Sequence, residues 1–121
     1  MMAKVLIVGY LDGVLQERTA AFSSAEFEVI PASDLQEAMR AIGTGSFDVV
    51  VLGHGVPESE RNQIARSARD RNGRAKLLML YLGSIHNAEL ADALLHGTVR
   101  PEEICSTVRY LLNPGSISQV G

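Results

Sequence analysis

One cysteine, no tryptophan and few aromatic residues occur in this chain of 121 residues. A lone Cys105 cannot close an internal disulfide, so nothing calls for an oxidising compartment. No apolar run approaches the roughly 20 residues that span a bilayer. The N-terminus also lacks the long apolar stretch of a signal peptide. The expectation is a cytoplasmic protein with no membrane partner. A basic excess is missing as well: the net charge of −3 removes the general reason to expect nucleic acid. There is no internal repeat and no low-complexity segment. What remains is ordinary for a folded chain, with 46% apolar and 21% charged residues. This length suits one domain that buries its core without metal or disulfide staples. Residues 1–112 are expected to form it, with 113–121 as a flexible C-terminal tail.

Short apolar runs alternate with segments of helical period. Lys4 to Val8 is continuously apolar after its first residue, the pattern of a strand buried on both faces. Asp12 is placed to cap a helix carrying Leu11, Val14, Leu15 and Phe22. Phe27 to Ile30 is a second strand. Ser33 and Asp34 open a helix in which Leu35, Ala38, Met39 and Ile42 share one face, and Gly43 to Gly45 stop it. Asp48 to Leu52 is the third strand, Ser59 to Asn72 a largely polar helix, and Lys76 to Tyr81 the fourth strand. Ala93 to Leu95 is a weak fifth strand. Pro101, Glu102 and Glu103 then open a last helix, where proline gives up a donor that is not needed and the acids suit the positive end of the dipole. Ile104, Val108 and Leu111 form its inward stripe.

Five strands alternating with helices imply right-handed crossovers and a parallel sheet covered on both faces. Ligands in such sheets bind beyond the carboxyl ends of the strands. The informative residues are those just after strands one, three, four and five.

Those positions, together with "VLIV" at the first strand, "FDVVVL" followed by Val56-Pro57, and "ADALL" leading to "PEEI", carry a resemblance. From Lys4 to about Leu112 the sequence resembles the receiver domain of response regulators, the CheY-like superfamily. The resemblance implies a flavodoxin-like α/β/α sandwich with a five-stranded parallel sheet of order 2-1-3-4-5. It also implies phosphoryl transfer to an aspartate after the third strand. Two acids after the first strand would hold Mg²⁺, a Thr or Ser after the fourth would contact the phosphoryl group, and so would a Lys after the fifth. Here the acid pair falls on Gly9 and Tyr10 and the acceptor on Gly53. The hydroxyl falls on Tyr81 and the lysine on Gly97, with Thr98 at the following proline and Leu94 at the switching aromatic. Mg²⁺ requires hard oxygen ligands, which Gly9, Tyr10 and Gly53 do not supply as carboxylates. Asp48 lies about 16 Å away along its strand at roughly 3.3 Å per residue. Asp12 and Glu58 are closer, but they read more simply as a cap and a solvated loop acid. The expectation is a degenerate receiver, a pseudo-receiver without metal or cofactor. From Tyr81 to Gly97 the chain is also short for this family, so the fourth helix is expected to be cut to about two turns around Ile85 to Leu90, or largely unwound.

Other constellations have simpler accounts. Gly53-His54-Gly55 permits a tight turn but matches no Gly-rich phosphate motif. His54, His86, His96 and Cys105 fit no zinc spacing. Cys105 reads as a packing residue. Arg61, Arg66, Arg69, Arg71, Arg74 and Lys76 crowd the third helix and its exit, but acids interrupt them and no aromatics accompany them, which favours a solvated face. The Tyr81 ring is expected to fill the space left by the missing acids and lysine. The functional expectation is a non-enzymatic, phosphorylation-incompetent domain of bacterial signal transduction that acts through a protein partner. That partner would be a histidine kinase, an output domain or a second copy of the chain. The competing reading is a small-molecule or anion sensor using the crevice at Gly9, Tyr10, Gly53, His54 and Tyr81.

Overall fold

Strands rich in Val, Leu and Ile on both faces need cover on both faces, and the fold supplies it. The computed structural model describes residues 2–85 and 88–113. Its strands are β1 (Lys4–Val8), β2 (Glu28–Ala32), β3 (Val49–Leu52), β4 (Lys76–Tyr81) and β5 (Ala93–His96). They form one parallel sheet in the order β2-β1-β3-β4-β5. The helices are α1 (Asp12–Ser24), α2 (Leu35–Thr44), α3 (Glu58–Arg71) and α4 (Pro101–Leu112). Alternation along the strands sorts the core into two layers. Leu6, Val8, Val50, Leu52, Leu77 and Met79 pack against Ala38 and Ile42 of α2 and Ile64, Ala65 and Ala68 of α3. Val5, Ile7, Val49, Val51, Leu78 and Leu80 pack against Leu15 and Phe22 of α1 and Ile104, Cys105 and Val108 of α4. This is the flavodoxin-like sandwich that the alternation predicts.

Local signals behave as their chemistry requires at most element ends. The Asp34 carboxylate accepts from the Glu37 amide at 2.7 Å, and Glu37 reaches back to accept from the Ser33 amide at 2.7 Å. This reciprocal box opens α2, and Gly45 closes it in the left-handed conformation at φ 67°. Pro101 occupies the first turn of α4 as expected. The cap of α1 differs. Leu11 takes that position in extended conformation with no side-chain cap bond, and Asp12 is the first helical residue. Leu11 is thereby carried outside the helix and is 47% exposed, lying across Gly55 rather than in the core. The second strand runs on to Ala32, through Pro31, which an edge strand tolerates.

The basic residues of α3 also depart from a solvated face. Arg61 is buried and donates to the Val56 carbonyl at 3.1 Å, while Arg71 donates to the Gly43 carbonyl at 2.6 Å. Arg69 donates to the carbonyls of Ala75 and Leu90 and to Asp92 at 2.7 Å. Guanidinium forks collect carbonyls left over at loop ends. Arg66 and Arg74 do face solvent.

The link from β4 to β5 is largely unwound. Among the described residues it holds a single 3₁₀ turn, Ala88–Leu90, where two helical turns around Ile85 to Leu90 were one expectation. Residues 86–87, and with them His86, lie outside the described residues, as does the expected tail from residue 114 on. A polar clamp replaces the missing helix. Asp92 donates its amide to the Leu77 carbonyl at 2.8 Å, and its carboxylate accepts from the Leu77 amide at 2.8 Å and from Arg69. With no helix on that side, Leu94 of β5, neighbour to Met79, is 39% exposed.

Removing the clamp leaves the buried Leu77 amide without its acceptor. Asp92→Ala is expected to lower unfolding free energy by about 1–3 kcal/mol, measured by urea denaturation, with faster amide exchange across residues 88–92. Unchanged stability would show that the clamp is dispensable.

Candidate functional site

The parallel register gathers the carboxyl ends of all five strands at one edge of the sheet. Val8 stands opposite Ala32 and Leu52, and Tyr81 opposite His96. β1, β3 and β5 each continue one residue into a glycine whose amide donates to the neighbouring strand: Gly9 to the Ala32 carbonyl at 3.0 Å, Gly53 to Val8 at 2.8 Å, Gly97 to Tyr81 at 2.7 Å. All three glycines are buried. The sheet therefore brings together Gly9, Gly53 and Gly97, and the space they leave is filled from outside.

Arg18 fills it. The side chain enters from the second turn of α1 and is only 5% exposed. Its Nη1 lies 3.3 Å from where a Cβ at Gly53 would stand, and Nη2 donates to the Gly97 carbonyl at 3.2 Å. The same Nη2 faces Nδ1 of His54 at a long 3.5 Å. A guanidinium cannot accept, so Nδ1 accepts at that contact and the His54 proton resides on Nε2. His54 is half-buried against Gly97: a Cβ there would stand 2.6 Å from Nδ1 and 2.8 Å from Cγ. A Cβ at Gly53 would meet the Val8 carbonyl oxygen at 2.9 Å as well as Arg18. Absence of side chains at 53 and 97 is what admits the arginine and the imidazole.

The remaining candidate residues turn elsewhere. Tyr10 donates its hydroxyl to Glu60 at 2.6 Å, and its ring packs on the α2–α3 layer. Burial, and then the Glu60 carboxylate, hold the phenol well above its ordinary range. Tyr81 meets the His96 ring edge-on with centroids 5.4 Å apart. The space expected to be filled by the Tyr81 ring is occupied by Arg18 instead, which reaches across from α1 and donates to the Gly97 carbonyl while the Tyr81 ring turns to His96. Asp12 and Glu58 are exposed first-turn residues of α1 and α3. Cys105 is buried in the α1–α4 layer, and burial raises its thiol, as a packing role requires. Among the described residues no three His, Cys, Asp or Glu side chains gather closely enough to hold a metal ion.

The electrostatics of the strand ends are positive. Desolvation lowers the Arg18 pKa, with Glu17 opposing the shift. Burial lowers that of His54, and Arg18, His96 and Arg61 lower it further. Arg18 and Arg61 were not singled out as site residues from the sequence. The signal is nevertheless present: Arg18 falls between Leu15 and Phe22 on the inward stripe of α1, and Arg61 precedes Ile64, Ala65 and Ala68 at helical spacing.

Neither a protein-family model nor a curated protein matches this sequence. Solved structures do. A CheY-like response regulator receiver domain protein from Methanospirillum hungatei is 18% identical with a TM-score of 0.84, over 98% of this chain and 99% of that one. A response regulator receiver domain protein from Clostridium thermocellum is 22% identical with a TM-score of 0.82, over 96% and 98%. A signal receiver domain from Vibrio parahaemolyticus is 9% identical with a TM-score of 0.80, over 99% and 97%. The chain has the receiver-domain fold.

Two outcomes test this geometry. Gly97→Ala drives a methyl into the His54 ring and is expected to destabilise the fold by about 1–3 kcal/mol. His54→Ala should recover most of that loss in a double-mutant cycle; strict additivity would refute the contact. For pH, a histidine whose folded pKa is lowered leaves the unfolded chain to bind the proton first. Its effect on stability is therefore absent above about pH 6.5 and grows as a loss below it. His54→Gln should flatten the fall in melting temperature from about pH 6.5 to 5, and an unchanged profile would assign the fall to other groups.

Proposed function

We propose that this chain is a phosphorylation-incompetent receiver-like domain that serves bacterial signal transduction through protein–protein contacts and catalyses no reaction. One observation carries the reading: the Arg18 guanidinium lies 3.3 Å from the point where an acceptor side chain would begin at Gly53. An aspartyl phosphate needs a nucleophilic carboxylate there, and none projects into the space. The residues do not fit Mg²⁺ either. Gly9 and Gly53 offer no side-chain oxygen, the Tyr10 hydroxyl donates to Glu60, and a buried cation stands among them. Gly97 brings no ammonium to neutralise a phosphoryl group.

Without a covalent switch, the conformational bias is set by packing. The Arg18–Gly97 bond ties α1 to the end of β5, so the strand end and the loop into α4 are held in one arrangement. Partner docking is assigned to the side where the β4–β5 helix is missing. Leu94 and Leu82 are exposed there, at 39% and 50%. A histidine kinase, an output domain or a second copy is the class of partner this reading assigns, in the cytoplasm.

Incubation with acetyl phosphate and Mg²⁺ tests the proposal. Neither the wild type nor Gly53→Asp is expected to yield a hydroxylamine-labile phosphoprotein on a phosphate-affinity gel, since the carboxylate introduced by that substitution would pair with Arg18. A shifted band in the wild type would overturn the reading.

A further inference from the structure

A buried guanidinium commonly meets a carboxylate, because an unpaired buried charge costs several kcal/mol or more. Arg18 does not. Neither of the two ion pairs among the described residues includes it, and both of its hydrogen bonds run through Nη2. Nη1 and Nε retain donors, and the fork of an arginine matches two oxygens of one anion. Beside it, between α1 and the loop from β5 to α4, lies a cavity of about 160 Å³ lined by Val14, Glu17, Arg18, His54, Gly97 and Val99 among others. Gly9, Tyr10 and Tyr81 are not among the residues that line it.

We propose that this cavity binds a small oxyanion, of the size of phosphate or sulfate, held by the Arg18 guanidinium with His54 at its side. The volume admits a few heavy atoms and excludes a nucleotide. The charge is suited to it: Arg18, His96 and Arg61 all bear on His54, and Glu17, on the exposed rim, is the one carboxylate in the lining. An anion would supply the missing counter-charge and favour protonated His54. It would also brace α1 against the β5–α4 loop through the residue that already bonds Gly97. The inference rests on the Arg18 geometry and stands independently of any partner or of phosphorylation.

Titration of the ¹⁵N-labelled protein with sodium phosphate, against sodium chloride at matched ionic strength, tests the proposal. Saturable amide shifts are expected in residues 14–18, 53–55 and 96–99. Arg18→Gln should weaken the apparent affinity by about tenfold or more. Glu17→Gln, at an exposed position whose loss leaves the fold intact, should tighten it by about threefold by removing a competing charge. In sulfate, whose charge is constant over the range, affinity should rise as pH falls from about 6.5 to 5, the range in which His54 would gain its proton. Shifts that fail to saturate, or that appear equally with chloride, overturn the proposal. So does an affinity that Glu17→Gln leaves unchanged, which decides the matter even if Arg18→Gln does not fold.

Discussion

A single buried guanidinium organises the carboxyl end of the sheet. Arg18 reaches from α1 across β1 and β3 to the Gly97 carbonyl beyond β5, so one side chain closes a space that three strands leave open. Its burial has requirements of its own. The strand ends must be glycine at 53, since a Cβ there would crowd both Arg18 and the Val8 carbonyl. Position 97 must be glycine because His54 lies against it. The glycines and the arginine therefore form one interdependent set, in which no member is a neutral remnant.

That set gives the strand ends a cationic rather than an acidic character. A metal-binding acid cluster repels itself and is relieved by a divalent cation. Here Arg18, His96 and Arg61 bear on His54, and Glu60 is engaged by Tyr10. Carboxylates at positions 9, 10 and 53 would pair with Arg18 and undo its role. The two packing layers are built from apolar residues, so the strand-end groups add polar contacts without forming the core. The fold itself is shared, with a TM-score of 0.84 at 18% identity.

Much of this was legible in the sequence. Continuous apolar runs such as Lys4 to Val8 and Lys76 to Tyr81 specify two-sided burial, and their ends agree with the observed strands. The Asp34 cap, Gly45 stop and Pro101 start are local chemistry, and so they are readable locally. The coming together of Gly9, Gly53 and Gly97 followed from strand order. What replaced the lost groups did not. An arginine on an apolar stripe is normally read as an exposed interruption, and only the emptiness at Gly53 and Gly97, distant in sequence, makes its burial favourable. The same limit applies to α3. Arg69 and Arg71 bind carbonyls at Leu90, Ala75 and Gly43, which are neighbours only after folding.

The shortened β4–β5 link and the arginine belong to one physical account. A helix at that position would cover β5 on the α3 side and fix it by packing. With a single 3₁₀ turn there, β5 is held by ladder bonds to β4, by the Asp92 clamp at its start and by Arg18 at its end. Both polar anchors are arginine-centred, since Arg69 holds Asp92 and Arg18 holds Gly97. Directional bonds thus do at two points what apolar burial would do along a helix, and they leave Leu94 uncovered on the face between them. Both anchors bear on the placement of β5: one joins it to α1 through Arg18, the other to α3 through Arg69.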